Sequence, residues 1–127
     1  MSIIKFKIIT RGNPRQPELP KKHYATIVRP RNVTLEILAK RIAEISPVNE
    51  LDTLNTLTAL SRVIPEFLSD GATVELGDFG RLQVSISSEG TDTEEDFSKE
   101  MIKSCKVSFQ PSVKVKETLK AVKYEKA

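Results

Sequence analysis

The sequence is poor in the residues that carry most enzymatic and metal chemistry. Its 127 residues include one cysteine, Cys105, one histidine, His23, and no tryptophan. A lone cysteine excludes an intrachain disulfide. One His and one Cys also exclude the usual zinc ligand sets. A Cys–His dyad would have to use Cys105 and His23, but Cys105 falls on the apolar face of a predicted strand, where a buried structural thiol is expected. Long apolar runs are missing too. None approaches the ~18–20 residues of a membrane span, and the start, MSIIKFKIIT, alternates like a strand instead of forming a signal-peptide block. These absences predict a cytoplasmic protein that is not an enzyme, with no cofactor, metal, membrane or small-molecule substrate. Hydrophobic residues make up 39% and aromatics 6%. That apolar supply is modest and favours burial through dimerisation.

Charge is present and unevenly placed. The formal net charge is only +3. Residues 1–33 set eight Lys/Arg against Glu18 alone, whereas residues 84–101 set Lys99 against six acids. Residues 34–83 are net acidic, and residues 102–127 hold seven Lys against two Glu. Both ends are therefore basic and the middle acidic. Basic segments of this kind can be a phosphate-binding footprint, and the plain alternative is solvated charge on ordinary surface.

Periodicity predicts a mixed α+β chain. Ile3–Thr10 alternates as a strand, with Ile4, Phe6 and Ile8 on one face. Arg11–Lys22 is a loop punctuated by Pro14, Pro17 and Pro20, and His23–Arg29 is a second strand that could complete a long hairpin. Thr34 suits the N-cap of a helix over Leu35–Ile45, with Leu35, Leu38, Ala39, Ile42 and Ile45 on its apolar stripe. Ser46-Pro47 ends it. A longer helix runs from Asn49–Asp52 to about Ser69, with Leu54, Leu57, Leu60, Ile64 and Phe67/Leu68 facing inward. Pro65 would kink or divide it. Asp70-Gly71 closes it, with Gly71 as the left-handed cap.

The stretch Thr73–Leu82 (TVELGDFGRL) organises the C-terminal half of the chain. Alternating flanks meet at the glycine-bracketed turn Gly77-Asp78-Phe79-Gly80, with Phe79 expected to pack inward and the hairpin expected to join the two halves of the molecule. The same letters occur in protein kinases. Here there is no glycine-rich phosphate loop and no His-Arg-Asp loop, and the chain is too short for two lobes, so Asp78 reads as a turn residue. Thr91–Met101 is acidic. Thr93 with Glu94, Glu95 and Asp96 predicts a short helix anchored by Phe97 and Met101. The acids lack calcium-loop spacing and suit a helix N-terminus instead. Ser104–Phe109 alternates as a strand, Ser112–Val122 reads as a last helix, and the tail Lys123–Ala127 is expected to fray.

The order helix, helix, strand, Gly-aromatic-Gly turn, strand, interruption, strand, short helix resembles the HU / integration host factor family of bacterial histone-like DNA-binding proteins. It is most similar to the longer HU-like proteins of the Bacteroidetes. The anchors are Gly71, Val74, Leu76, Phe79, Gly80 and Leu82, followed by Val107-Ser108-Phe109-Gln110-Pro111 and Leu119. The resemblance covers roughly Val33–Val122. It implies one HU-like domain over residues 1–122, made of an N-terminal β-hairpin extension (1–32) and an HU-like core (33–122), with residues 123–127 as a tail. The implied architecture is an α+β, IHF/HU-like intertwined homodimer in which a helical hairpin packs with an antiparallel β-sheet. In the family, two β-arms tipped by proline wedge into the DNA minor groove while Lys/Arg hold phosphate; unstacking a base step costs a few kcal/mol and is offset by the contacts that bending permits.

Two departures matter. The interval where the family carries its basic arm is Ser85–Lys106 here, and it holds no Arg, no Pro and mostly acid. Ser112-Val113 stands where the family has Gly-Lys before the last helix. Arg11-Gly12-Asn13-Pro14-Arg15-Gln16-Pro17 resembles the family's arm tip and tops the N-terminal hairpin, so this hairpin is a candidate substitute arm. The candidate DNA-binding residues are Lys5, Lys7, Arg11, Pro14, Arg15, Lys21, Lys22, Arg29, Arg31, Arg81, Lys114 and Lys116. The function implied is largely sequence-independent binding and condensation of double-stranded DNA by a nucleoid-associated homodimer. The alternative is a protein-interaction or structural module that kept the fold and lost DNA binding, which the acidic interval favours.

Overall fold

The computed structural model describes residues 2–127. Ten segments occur in order: strands β1 (Ile3–Arg11) and β2 (Lys22–Ile27), helices α1 (Leu35–Ile45) and α2 (Glu50–Leu68), strands β3 (Val74–Glu75) and β4 (Gly80–Ser88), a single 3-10 turn at Lys99–Met101, strand β5 (Ile102–Pro111), helix α3 (Val113–Lys120) and strand β6 (Lys123–Lys126). They divide into two compact units. One spans Val33–Lys116; the other joins the residues up to Asn32 with Glu117–Ala127.

In the unit Val33–Lys116, the two helices begin where the caps predict. The Thr34 hydroxyl accepts from the Ile37 N–H at 3.5 Å. Asn49 Oδ1 accepts from the Asp52 N–H at 2.8 Å, while Asn49 Nδ2 donates to Asp52 Oδ2 at 2.8 Å. Such side-chain acceptors satisfy donors that a helix start leaves orphaned. Helix α2 runs unbroken through Pro65. It closes with Ala72 N–H to Phe67 O at 3.2 Å and Gly71 N–H to Leu68 O at 3.0 Å. Gly71 sits at φ 81°, a conformation that glycine adopts at least cost. Ala39 of α1 is fully buried, and Thr53 of α2 is nearly so. The Thr53 hydroxyl can be hidden because it donates to the Asn49 carbonyl at 2.7 Å.

The same unit holds the antiparallel sheet β3-β4-β5. Register pairs Leu82 with Phe109, Val84 with Val107 and Ile86 with Cys105. Directly opposed residues share a face, so these form the apolar side and Arg81, Gln83, Gln110 and Ser108 the polar side. The Gly77–Gly80 turn lies inside this unit, where it joins β3 to β4 of the one sheet. Gly77 has φ 59° and Gly80 φ 148°. A Cβ on Gly80 would stand 2.4 Å from the Gln110 carbonyl oxygen and 2.8 Å from the Phe109 ring, so the backbone of β5 itself requires glycine there. The Ser112 hydroxyl donates to the Asp78 carbonyl. It also accepts from the Val115 N–H at 3.2 Å, so one side chain fastens the turn to the start of α3.

Four expectations are corrected. Phe79 does not pack inward: it is 54% exposed and covers only one side of itself by stacking on Phe109, ring centroids 4.6 Å apart. Cys105 is exposed, as are its cross-strand partner Ile86 and Val107 on the same sheet face. Residues 93–98 form no helix. Thr93 accepts from Asp96 N–H at 3.3 Å and Phe97 N–H bonds Glu94 O at 3.1 Å, closing single turns, and only Lys99–Met101 winds further. The adjacent like charges of Glu94, Glu95 and Asp96 repel, and the tethered loop ends leave too few residues to repay helix nucleation. The tail is not frayed either: Lys123–Lys126 is β6, parallel to β1.

Candidate nucleic-acid interface

The other unit is a three-stranded sheet in the order β2-β1-β6. Side chains alternate faces along a strand, and register carries each face across strands. Lys7 opposes Thr26, Ile9 opposes Tyr24 and Arg11 opposes Lys22; Ile3 opposes Lys123 and Lys5 opposes Glu125. One face therefore gathers Lys5, Lys7, Arg11, Lys22 and Lys123 around Ile9 and Tyr24, with Glu125 as its single acid. The opposite face takes Ile4, Phe6, Ile8, Ala25, Ile27 and Tyr124, with Lys126 opposite Phe6 and with Thr10 and His23 at its end joined by a 3.2 Å hydrogen bond.

The five cations are exposed, and among the described residues none of them forms an ion pair. Charges two residues apart on a strand stand about 7 Å apart, a repulsion of roughly 0.6 kcal/mol per pair in water before salt screening. The sheet tolerates that cost, and a bound phosphate chain would relieve it.

The loop between β1 and β2 is built from two consecutive turns. Gln16 N–H bonds Asn13 O at 3.1 Å, and Leu19 N–H bonds Gln16 O at 3.1 Å. Pro14 and Pro17 each occupy the second turn position, where the fixed proline φ is already correct. Asn13 Oδ1 also accepts from Arg15 N–H at 3.0 Å. The loop is thus held by its own chemistry. It borders a hollow of about 490 Å³ lined by Arg11, Leu19, Lys21, Lys22 and Tyr24 together with Gly12, Asn13 and Pro20.

The sequence-predicted cations do not all come together. Lys5, Lys7, Arg11 and Lys22 share the sheet face just described; Lys21 lines the hollow beside it; Pro14 and Arg15 sit in the exposed first turn; Arg29 and Arg31 lie beyond β2 in the exposed segment that leads to α1. The remaining three are in the unit Val33–Lys116. Arg81 Nε donates to Gln110 Oε1 at 2.9 Å, and Gln110 Nε2 to Gln83 Oε1 at 2.7 Å, which braces the guanidinium along the polar sheet face. Arg81 and Lys116 line one hollow of about 620 Å³ with Glu75. Lys114 reaches Asp78 at 3.8 Å.

Where the related family carries its arm, β4 and β5 do continue as a ribbon. It runs to the pair Ser88–Ile102 with an irregularity at Ser87/Ser88, and ends in the acidic loop 89–101. Ser87 and Ser104 hydroxyls bond across it at 2.7 Å. Lys123 and Tyr24 are the members of the basic face that sequence reasoning missed. Tyr24 was legible in the alternation Lys22-His23-Tyr24. Lys123 was not, since four residues of tail carry no usable period.

Among the described residues no helix is long and apolar enough to cross a membrane. No curated protein matches the sequence. A solved structure named "Putative bacterial DNA binding protein from Bacteroides vulgatus ATCC 8482" is similar with a TM-score of 0.66 at 15% identity over 99% of this chain, which shows a shared fold. The chain spans about half of that protein, 49% of its length. Residues 1–126 match the family described as "HU domain fused to wHTH, Ig, or Glycine-rich motif". A match over nearly the whole chain places it in this family of fused HU domains.

Proposed function

We propose that this protein is a non-enzymatic, largely sequence-independent DNA-binding protein of the bacterial nucleoid, acting in the cytoplasm as a homodimer. The observation that carries the DNA reading is the basic face of the N-terminal sheet, with Lys5, Lys7, Arg11, Lys22 and Lys123 exposed and, among the described residues, in no ion pair. Lysine and arginine without fixed geometry read phosphate, not base edges, which makes binding tolerant of sequence. The acidic loop at the end of the β4–β5 ribbon repels phosphate, so the grip is assigned to the N-terminal strands and their loop, a substitute for the family's usual arm.

The dimer reading rests on burial. In the unit Val33–Lys116 only Ala39 and Thr53 are buried, while Leu60, Phe67, Ile86 and Val107 are 43%, 54%, 64% and 56% exposed. Apolar helix and sheet faces of this extent call for a second layer, and a second copy supplies it in the related fold.

Fluorescence anisotropy against a duplex of arbitrary sequence, repeated from low to high salt, tests the DNA reading. The expected result is a steep linear fall of log K with log salt; absence of binding at low salt would sink it. Sedimentation equilibrium tests the dimer, and a stable monomer would contradict it. The acidic loop favours one competing reading, a protein-interaction module that retains the fold, and that reading gains if DNA binding fails while the dimer persists.

A further inference from the structure

The hollow beside the loop differs from the rest of the basic face. Most of that face is open cation. The hollow is lined by Arg11, Lys21 and Lys22 together with Leu19 and Tyr24. Its volume, about 490 Å³, lies within the ~300–1,000 Å³ of small-molecule sites. Tyr24 is 47% exposed, so part of its ring is available to a ligand. The walls are ordered in advance by the two proline turns, and the loop ends approach closely, with Lys21 Cγ 3.5 Å from where a Cβ on Gly12 would lie. Preformed sites spare the ordering cost of binding.

Cations beside an aromatic ring suit one chemistry well. A phosphodiester is held by ammonium and guanidinium groups, and the attached base stacks on the ring; every base has a π-face, so such stacking tolerates sequence. A paired base inside a duplex cannot enter, because both its faces are already stacked. Resting on the DNA-binding reading above, we infer that this hollow receives one unpaired nucleotide of a DNA strand, with its phosphate against Arg11, Lys21 and Lys22 and its base against Tyr24. The protein then discriminates between intact duplex and duplex with an extruded base, using the N-terminal strands and not the β4–β5 ribbon.

The test uses the full chain and two DNAs, an intact duplex and the same duplex with one unpaired 2-aminopurine. Anisotropy should show the bulged duplex bound about tenfold more tightly, with 2-aminopurine emission quenched further on binding. Tyr24→Ala should bring the two affinities to within about twofold and remove the added quenching. Tyr24→Phe, which keeps the ring, should retain both effects. Lys21→Gln with Lys22→Gln should weaken both DNAs, because phosphate contacts do not depend on pairing. Equal affinity of the native protein for the two DNAs, or a preference that survives Tyr24→Ala, overturns the inference while duplex binding stands. Failure to bind either DNA at low salt refutes the broader reading as well. A free 2-aminopurine nucleotide that shows the same Tyr24-dependent quenching and displaces the bulged DNA assigns the hollow to mononucleotides and overturns the strand reading.

Discussion

Replacing Gly80 with alanine puts the turn at the head of β4 to a quantitative test. Two costs act together. At φ 148° an L-residue lies in a region reserved almost entirely for glycine, a strain of about 1–3 kcal/mol. The new methyl would also stand 2.4 Å from the Gln110 carbonyl oxygen and 2.8 Å from the Phe109 ring. Relief requires a shift of about 1 Å by the backbone of β5, and overpacking of this kind costs roughly 1–3 kcal/mol. The movement would open the Gly80–Pro111 and Arg81–Gln110 rungs and disturb the Phe79–Phe109 stack. The expected loss is about 2–6 kcal/mol, a large part of a typical domain's ~5–15. Gly77→Ala is the internal control. Gly77 is also left-handed, at φ 59°, but a Cβ there meets nothing within 4 Å, so only the conformational term remains, about 1–2 kcal/mol. Urea unfolding followed by circular dichroism would measure both, at one protomer concentration, since association adds to apparent stability. If Gly80→Ala costs less than Gly77→Ala, or under about 1 kcal/mol, the steric reasoning fails.

Changing Lys5, Lys7, Arg11 and Lys22 together to Gln should reduce the slope of log K against log salt by about 3.6, which is about 150-fold in affinity between 50 and 200 mM salt; anisotropy of the quadruple variant against duplex DNA measures this, and an unchanged slope removes the sheet face as the phosphate contact. Deleting residues 123–127 removes the Lys123 N–H to Ser2 O bond at 3.0 Å and the Ala127 N–H to Phe6 O bond at 2.9 Å. Hydrogen exchange by NMR should then show faster exchange of β1 amides on the β6 side and unchanged exchange in α1 and α2; equal protection with and without the tail would mean that β6 does not stabilise β1. Asn49→Ala should destabilise by about 1 kcal/mol by orphaning the Asp52 N–H, read by the same urea titration.

Much of the fold was legible because its signals are local. The α1 bounds follow from Thr34 and Ser46-Pro47, and the α2 bounds from Asn49 and Gly71, since caps and left-handed closures are decided within one turn of chain. The β4 and β5 faces follow from period-2 alternation, and register then aligned the two apolar sets, Leu82, Val84 and Ile86 with Phe109, Val107 and Cys105. The failures were non-local. Phe79 and Cys105 look like core residues by type, but burial depends on which layer covers a face, and composition along one strand does not contain that. The acidic segment has a good helix start, yet its ends are fixed by the ribbon, where Glu89 N–H bonds Met101 O at 3.0 Å.

The candidate interface divides along the same line. From the sequence alone came the basic N-terminal strands, the proline-rich loop, the missing basic arm and the glycine turn that marks an HU-like body; each rests on residue type and short spacing, which the chain carries wherever it folds. Only the tertiary structure decided which cations share a surface. Lys123 lies 118 positions from Lys5 in the chain, and the parallel pairing of β6 with β1 brings it to the same face. The Gly77–Gly80 turn shows both levels at once: the letters predict a reversal, but the reason Gly80 cannot be replaced is the carbonyl of Gln110, thirty residues away and brought there by strand pairing.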